Sequence, residues 1–336
     1  MPIQYFEDLE PGTVLDFGAM TIDKDEVIAF AKEFDPQVFH LDEEKAKATM
    51  LGGLSASGWH TTALMMRMCY DAFIKNSSSQ GAPGVDEVRW MKPVRPGDVL
   101  SGRRHILAKR VSQSRPEIGF VTMQIDTLNQ RGELVMMQKF SSMLGLRSFK
   151  HSDGAPQRTP KTPPLPAHLS NAQEKFDPPM SNFFEDLVVG RRLDLGTYEF
   201  TRENVLRFAR NYDPQPFHLD DDAAAKSHFG RLAASGWQTS AAWMGQLVKA
   251  KHRIEREILE RGGRIAQGGP SPGFTNLRWN QPVYPGDVIT YAATPIDKRD
   301  TSKPGWGLVT HHNTGVNQHG VLVYEFTGTA FVQKKP

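Results

Sequence analysis

Two short stretches of this chain set a carboxylate and an imidazole five residues apart: Asp35-Pro-Gln-Val-Phe-His40 and Asp213-Pro-Gln-Pro-Phe-His218. Side chains of these types, holding one water between them, can take a proton from it and deliver a proton elsewhere. Each such transfer is typically worth ~10²–10⁴-fold in rate. Close behind each pair stands a glycine where a helix is expected to open, Gly58 in Ala56-Ser-Gly-Trp59 and Gly236 in Ala234-Ser-Gly-Trp237. Helix-start N–H groups are unpaired and favour negative charge, and glycine lets a ligand approach the backbone. Each residue alone has a plainer reading. Asp35 suits a turn before Pro36, His40 a structural role and Gly58 an N-cap. Their recurrence as a set, in matching frames, favours chemistry.

The recurrence is an internal repeat. Asp35 to Asp213 and Gly58 to Gly236 are both offsets of 178, as is Tyr5-Phe-Glu-Asp-Leu9 to Phe183-Phe-Glu-Asp-Leu187. Beyond the glycine the offset grows to 189, for Arg89-Trp90 to Arg278-Trp279 and Pro96-Gly-Asp98 to Pro285-Gly-Asp287, so the second copy carries 11 extra residues. Residues 1–148 and 182–336 are therefore read as two domains, joined by a Pro-rich linker at 149–181 long enough to let them pack as a pseudo-dimer.

The elements that must position the motifs repeat too. Each copy opens with a strand, Val14–Thr21 and Arg192–Phe200, and then a helix, Lys24–Glu33 and Arg202–Asn211, capped at Asp23 and Thr201. A loop with the Asp/His motif leads to a small acidic helix at Asp42–Ala48. A longer, mostly apolar and hence buried helix follows, Trp59–Phe73. Its counterpart starts at Trp237, with a charged amphipathic extension, Lys249–Arg261, expected to leave the core. The strands Val85–Val94, Asp98–Ala108, Gly119–Leu128 and Glu133–Leu146, with their counterparts from Phe274 to Val332, are joined by turn residues and predict an antiparallel meander. The fold class is α+β, a sheet wrapped around a helix.

Bulk properties exclude several functions. Forty basic residues against 38 acidic ones give a net charge of +2, which recommends neither nucleic acid nor an anionic membrane as partner. The single cysteine, Cys69, forbids an intrachain disulfide and reads as a small core residue. No signal peptide and no apolar run of ~20 residues is evident, so a cytoplasmic location is expected. No zinc-ligand spacing, nucleophile elbow or dinucleotide fingerprint is present, so neither metal nor cofactor is expected.

Asp-x-Gln-x-x-His, then Ala-Ser-Gly-Trp, then Trp-x-x-Pro-Val-x-Pro-Gly-Asp, resembles the MaoC-like dehydratases, a group that includes (R)-specific enoyl-CoA hydratases. The resemblance covers Tyr5–Arg147 and Asn182–Val332. It implies tandem hot-dog domains, a double hot dog, and a hydro-lyase acting on acyl-CoA thioesters. It further implies that Asp35 with His40, and Asp213 with His218, activate water for attack at C3, while the Gly58 and Gly236 N–H groups meet the thioester oxygen. Two departures stand out: Phe34 and Tyr212 replace a glycine before the Asp, with Gln37 and Gln215 in place of an asparagine two after it, and Ser57 and Ser235 replace a histidine before the helix-opening Gly. Trp59 and Trp237 read as core anchors, and Arg89 and Arg278 as sheet-surface or interface residues. Both pairs are complete, so both copies are expected to work, with the second preferred if only one does. The rival functions are hot-dog thioester hydrolysis and non-catalytic acyl-thioester binding. A homodimer of pseudo-dimers is compatible with the sequence.

Overall fold

A computed structural model describes residues 2–148 and 180–336. Apart from Met180 and Ser181, the Pro-rich linker lies outside the described residues. The first half contains β1 (Val14–Thr21), α1 (Lys24–Phe34), α2 (Val38–Leu41), α3 (Glu43–Ala46), α4 (Gly58–Ala72), β2 (Gly84–Trp90), β3 (Val99–Val111), β4 (Ile118–Leu128) and β5 (Leu134–Gly145). The second repeats the order as β6 (Leu193–Glu199), α5 (Arg202–Tyr212), α6 (Pro216–Leu219), α7 (Asp221–Ala225), α8 (Gly236–Glu260), β7 (Gly273–Trp279), β8 (Val288–Asp300), β9 (Trp306–Val316) and β10 (Leu322–Gln333). The expected caps are in place. The Asp23 carboxylate accepts from the Glu26 N–H at 2.9 Å, and the Thr201 hydroxyl from the Asn204 N–H at 3.2 Å.

All ten strands form one antiparallel sheet, ordered β1-β3-β4-β5-β2-β7-β10-β9-β8-β6. It wraps the two long helices α4 and α8, and its centre is the pairing of β2 with β7. At that seam the halves come so close that a Cβ on Gly84 would lie 2.2 Å from the Leu277 carbonyl oxygen, and one on Gly273 2.1 Å from that of Val88. Aromatic rings continue the seam inward. Trp59 stacks on Phe274 of the other half at 4.9 Å and meets Phe326 edge-on at 5.7 Å. This is a double hot dog within one chain. Among the described residues, no helix is long and apolar enough to cross a membrane.

Three expectations need correction. The meander runs only through β3, β4 and β5. Strand β2 stops at Trp90, pairs with β5 and β7, and is not bonded to β3. Pro93 and Pro96 lack the N–H a ladder needs, so the chain leaves the sheet there and crosses to its far side. The loop expected to carry the Asp/His motif contains a helical turn of its own, α2, and the acidic helix expected at Asp42–Ala48 is the single turn α3, capped by the Asp42 carboxylate through the Glu44 and Lys45 N–H groups. The charged extension of α8 does not leave the core: Ala250 and Ile258 are fully buried and Arg253 reaches the Asp194 carbonyl. Ala250, Ile254 and Ile258 recur every four residues, so one face of the extension turns inward while its charges face out.

Candidate active site

The first Asp/His pair is assembled from three short pieces of backbone. Pro36 ends α1, leaving Asp35 at its C-cap with extended φ −156°. One turn of helix, α2, then brings His40 back over Asp35. The loop before α4 is tied down by hydrogen bonds from the Ser55 N–H to the Phe39 carbonyl (3.1 Å) and from the Ala56 N–H to the Val94 carbonyl (2.8 Å). The second of these uses the chain segment that leaves the sheet after β2.

The resulting geometry is buried and fully specified. Asp35 and His40 are 3% and 4% exposed. Asp35 Oδ1 accepts from Gln37 Nε2 at 2.9 Å, and Oδ2 accepts from the Ser57 hydroxyl at 2.6 Å. His40 Nδ1 lies 2.7 Å from the Ser55 carbonyl oxygen. A carbonyl can only accept, so Nδ1 carries the hydrogen and, in the neutral ring, Nε2 presents its lone pair. That lone pair faces Asp35 Oδ2 at 3.3 Å, longer than the ~2.7–2.9 Å of a charge-assisted hydrogen bond. Two acceptors so placed suit a water that donates one hydrogen to each.

The second half repeats the arrangement. Asp213 Oδ1 accepts from Gln215 at 3.0 Å and Oδ2 from the Ser235 hydroxyl at 2.7 Å. His218 Nδ1 lies 2.8 Å from the Ala233 carbonyl oxygen, and its Nε2 3.4 Å from Asp213 Oδ2.

In the sequence Ser57 and Ser235 stand only as departures from the family pattern. The structure gives each two tasks: the hydroxyl caps the long helix by accepting from the Trp59 or Trp237 N–H, and donates to the Asp. Their N-cap position was the available signal. Replacing Ser57 by Ala should lower kcat roughly tenfold with little change in KM, the worth of one hydrogen bond to a charged group. An unchanged kcat with a lowered melting temperature would make Ser57 a helix cap alone.

Gly58 is the first residue of α4, and its N–H has no protein partner among the described residues. A Cβ there would lie 2.5 Å from the Trp90 ring, and one on Gly236 2.4 Å from the Trp279 ring. Ring packing over the helix start thus demands glycine on its own account. Trp59 and Trp237 are 6% exposed and belong to the core. Arg278 reaches across the seam to Asp86 at 3.3 Å, while Arg89 pairs with Glu87 on its own strand.

The two sites differ in what surrounds them. A cavity of about 1500 Å³ opens onto Asp35, His40 and Gly58 and continues into the second half along α8, β9 and β10. Asp213, His218 and Gly236 line neither this cavity nor the smaller one of about 200 Å³ beside Gln37 and Lys251. Phe229 packs 5.8 Å from the His218 ring, at the repeat position of Leu51. The large cavity therefore borders the first pair, whereas the sequence alone favours the second.

Comparison with known proteins agrees with the fold. The chain aligns with an uncharacterized protein of Bacillus subtilis, YdeM, at 30% identity over 133 residues, 40% of this chain and 93% of that one. It aligns with a mesaconyl-CoA hydratase of Cereibacter sphaeroides at 25% identity over 240 residues, 67% of this chain and 64% of the length of that hydratase. Among solved structures, a putative MaoC domain dehydratase of Chloroflexus aurantiacus superposes with a TM-score of 0.77 at 14% identity, covering 100% of this chain and 99% of the other. A conserved hypothetical protein of Mycobacterium tuberculosis, described as a double hotdog fold, gives 0.68 at 16% identity, covering 98% of each. The profile of the MaoC like domain matches residues 7–125 and 186–317, most of both halves, and the chain belongs to that family.

Proposed function

We propose that this protein is a hydro-lyase that interconverts a 2-enoyl thioester, with CoA as carrier, and the 3-hydroxyacyl thioester, working at Asp35 and His40. The observation that carries the reading is the pair of acceptors, Asp35 Oδ2 and His40 Nε2, facing each other at 3.3 Å on the wall of the large cavity. Held between them, a water keeps an oxygen lone pair free for C3 of the substrate. As the C3–O bond forms, one water proton passes to the pair, and a proton returns from the pair to C2. The charge that gathers on the thioester oxygen is met by the Gly58 N–H at the start of α4. Donors of this kind are worth on the order of 10²–10³ in rate. Ser57 and Gln37 hold the carboxylate so that it cannot turn away from the water.

The relative named as a mesaconyl-CoA hydratase supports this chemistry at the level of reaction class. The cavity supports an acyl chain of some bulk, since pockets for small ligands usually measure ~300–1000 Å³. The division at 148 and 182, with a linker between, is part of the same proposal.

One assay panel tests it. Crotonyl-, octenoyl- and mesaconyl-CoA should lose their enoyl absorbance without releasing thiol, and 3-hydroxyacyl-CoA should gain it. Release of free CoA would make the protein a thioesterase. Tight binding with no change in absorbance would make it a binding module.

A further inference from the structure

Beyond the reacting pair, the cavity is walled by the inner face of the second half's sheet. His311 and Asn313 of β9 are paired with Gly328 and Phe326 of β10, and with Pro295 and Ala293 of β8. Directly paired residues share a face, and all six line the cavity. In the first half the same register positions hold Met123 and Ile125, paired with Phe140 and Gln138, and with Ile106 and Arg104. One half fills this layer with bulk. The other leaves a glycine, an alanine and two polar side chains beside open space.

Each of those two side chains leaves hydrogen-bonding atoms unpaired among the described residues. The His311 ring makes no hydrogen bond among the described residues. Burial alone pushes its imidazole down to about 4, with no charged group acting on it, so the ring is neutral near pH 7 with one donor and one acceptor nitrogen. Asn313 Nδ2 donates to the His311 carbonyl at 3.2 Å, which settles the orientation of the amide and leaves Oδ1 buried and unpaired. Buried polar atoms are nearly always bonded, and an orphan costs ~1–3 kcal/mol.

We propose that His311 and Asn313 form a subsite for a neutral hydrogen-bonding group, a hydroxyl above all, carried on the acyl chain away from the thioester. A hydroxyl can donate to Asn313 Oδ1 and accept from the His311 ring N–H. A methyl group leaves these atoms unpaired. A carboxylate cannot donate to Oδ1 and finds no cation acting on His311. Gly328 supplies the room: a Cβ at that position would lie 3.2 Å from Asn313 Nδ2 and 2.9 Å from the Phe326 ring. The thioester part of this substrate rests on the hydratase reading, but the test is separable from it.

The test is calorimetric. Unreactive medium-chain CoA thioethers of equal length, ending in methyl, hydroxyl or carboxylate, are titrated into the full chain. They are also titrated into the variant His311→Met/Asn313→Ile, which carries the residues the first half already holds at these positions. The hydroxyl form should bind at least ~10-fold more tightly than the methyl form to the natural chain, as expected for one added hydrogen bond and one relieved orphan. The variant should lose or reverse that preference. Equal binding of methyl and hydroxyl forms, tightest binding of the carboxylate, no binding of any form, or a preference that survives in the variant would each overturn the subsite. The comparison on the natural chain decides even if the variant fails to fold. Failure to hydrate crotonyl-CoA at all would remove the hydratase reading and leave the binding preference to judge the subsite by itself.

Discussion

Asp35→Asn is expected to lower turnover of a medium-chain 2-enoyl-CoA by at least ~10²-fold, the usual worth of a positioned acid or base, while Asp213→Asn leaves most of it. The amide is nearly isosteric, so the disturbance is confined to the Ser57, Gln37 and His40 contacts of Asp35, and folding should survive. The inequality follows from the cavity. Both pairs have the same internal geometry, but the large cavity reaches only the first. Parallel measurement of both single variants and the double variant with one substrate decides the matter. Losses of about half from each single variant would mean two independent sites, since distant sites act additively. A large loss from Asp213→Asn alone would place the chemistry in the second half and sink the assignment to Asp35.

Filling the cavity should separate long substrates from short ones. Gly328→Phe puts at the first site's far wall the side chain that Phe140 already places at the matching position of the other half. For medium-chain enoyl-CoA, kcat/KM should fall ~10²-fold, because each methylene that loses its place costs ~1–3 kcal/mol, or 10–200-fold. Crotonyl-CoA should be hydrated nearly as before, since its short acyl group needs no room there. The new ring must also displace Phe326, so a circular dichroism melt accompanies the kinetics. Equal losses for short and long substrates would point to general disruption, and no loss for either would show that the acyl chain takes another path.

Much of this molecule is legible in its sequence because the repeat samples every local rule twice. Asp23 and Thr201 mark helix starts by their side-chain oxygens. The proline after each Asp stops the first helix, and β1 is found at its expected bounds, Val14–Thr21. These are local effects of backbone sterics and capping, which need no distant partner. The carboxylate and imidazole are likewise legible as a pair, since five residues spanning a proline and one helical turn bring them together.

Three features were decided only by tertiary structure. The β2–β7 seam pairs residues from Gly84 with Arg278 to Arg89 with Gly273, 194 to 184 positions apart, and nothing local in Gly84 or Gly273 announces that each must pass against a carbonyl of the other half. The serine before each helix-opening glycine looks like a loss until its hydroxyl is seen to cap the helix and hold the Asp in one geometry. Above all, two motifs of equal sequence quality are unequal in space. The site beside Asp35 is walled by the other half, so its volume depends on Ala293, His311, Asn313 and Gly328, all more than 250 residues away. Local sequence determines which atoms can do chemistry. Packing between the halves determines which of them a substrate has room to reach, because an interior as dense as an organic crystal leaves space only where small side chains from several strands coincide.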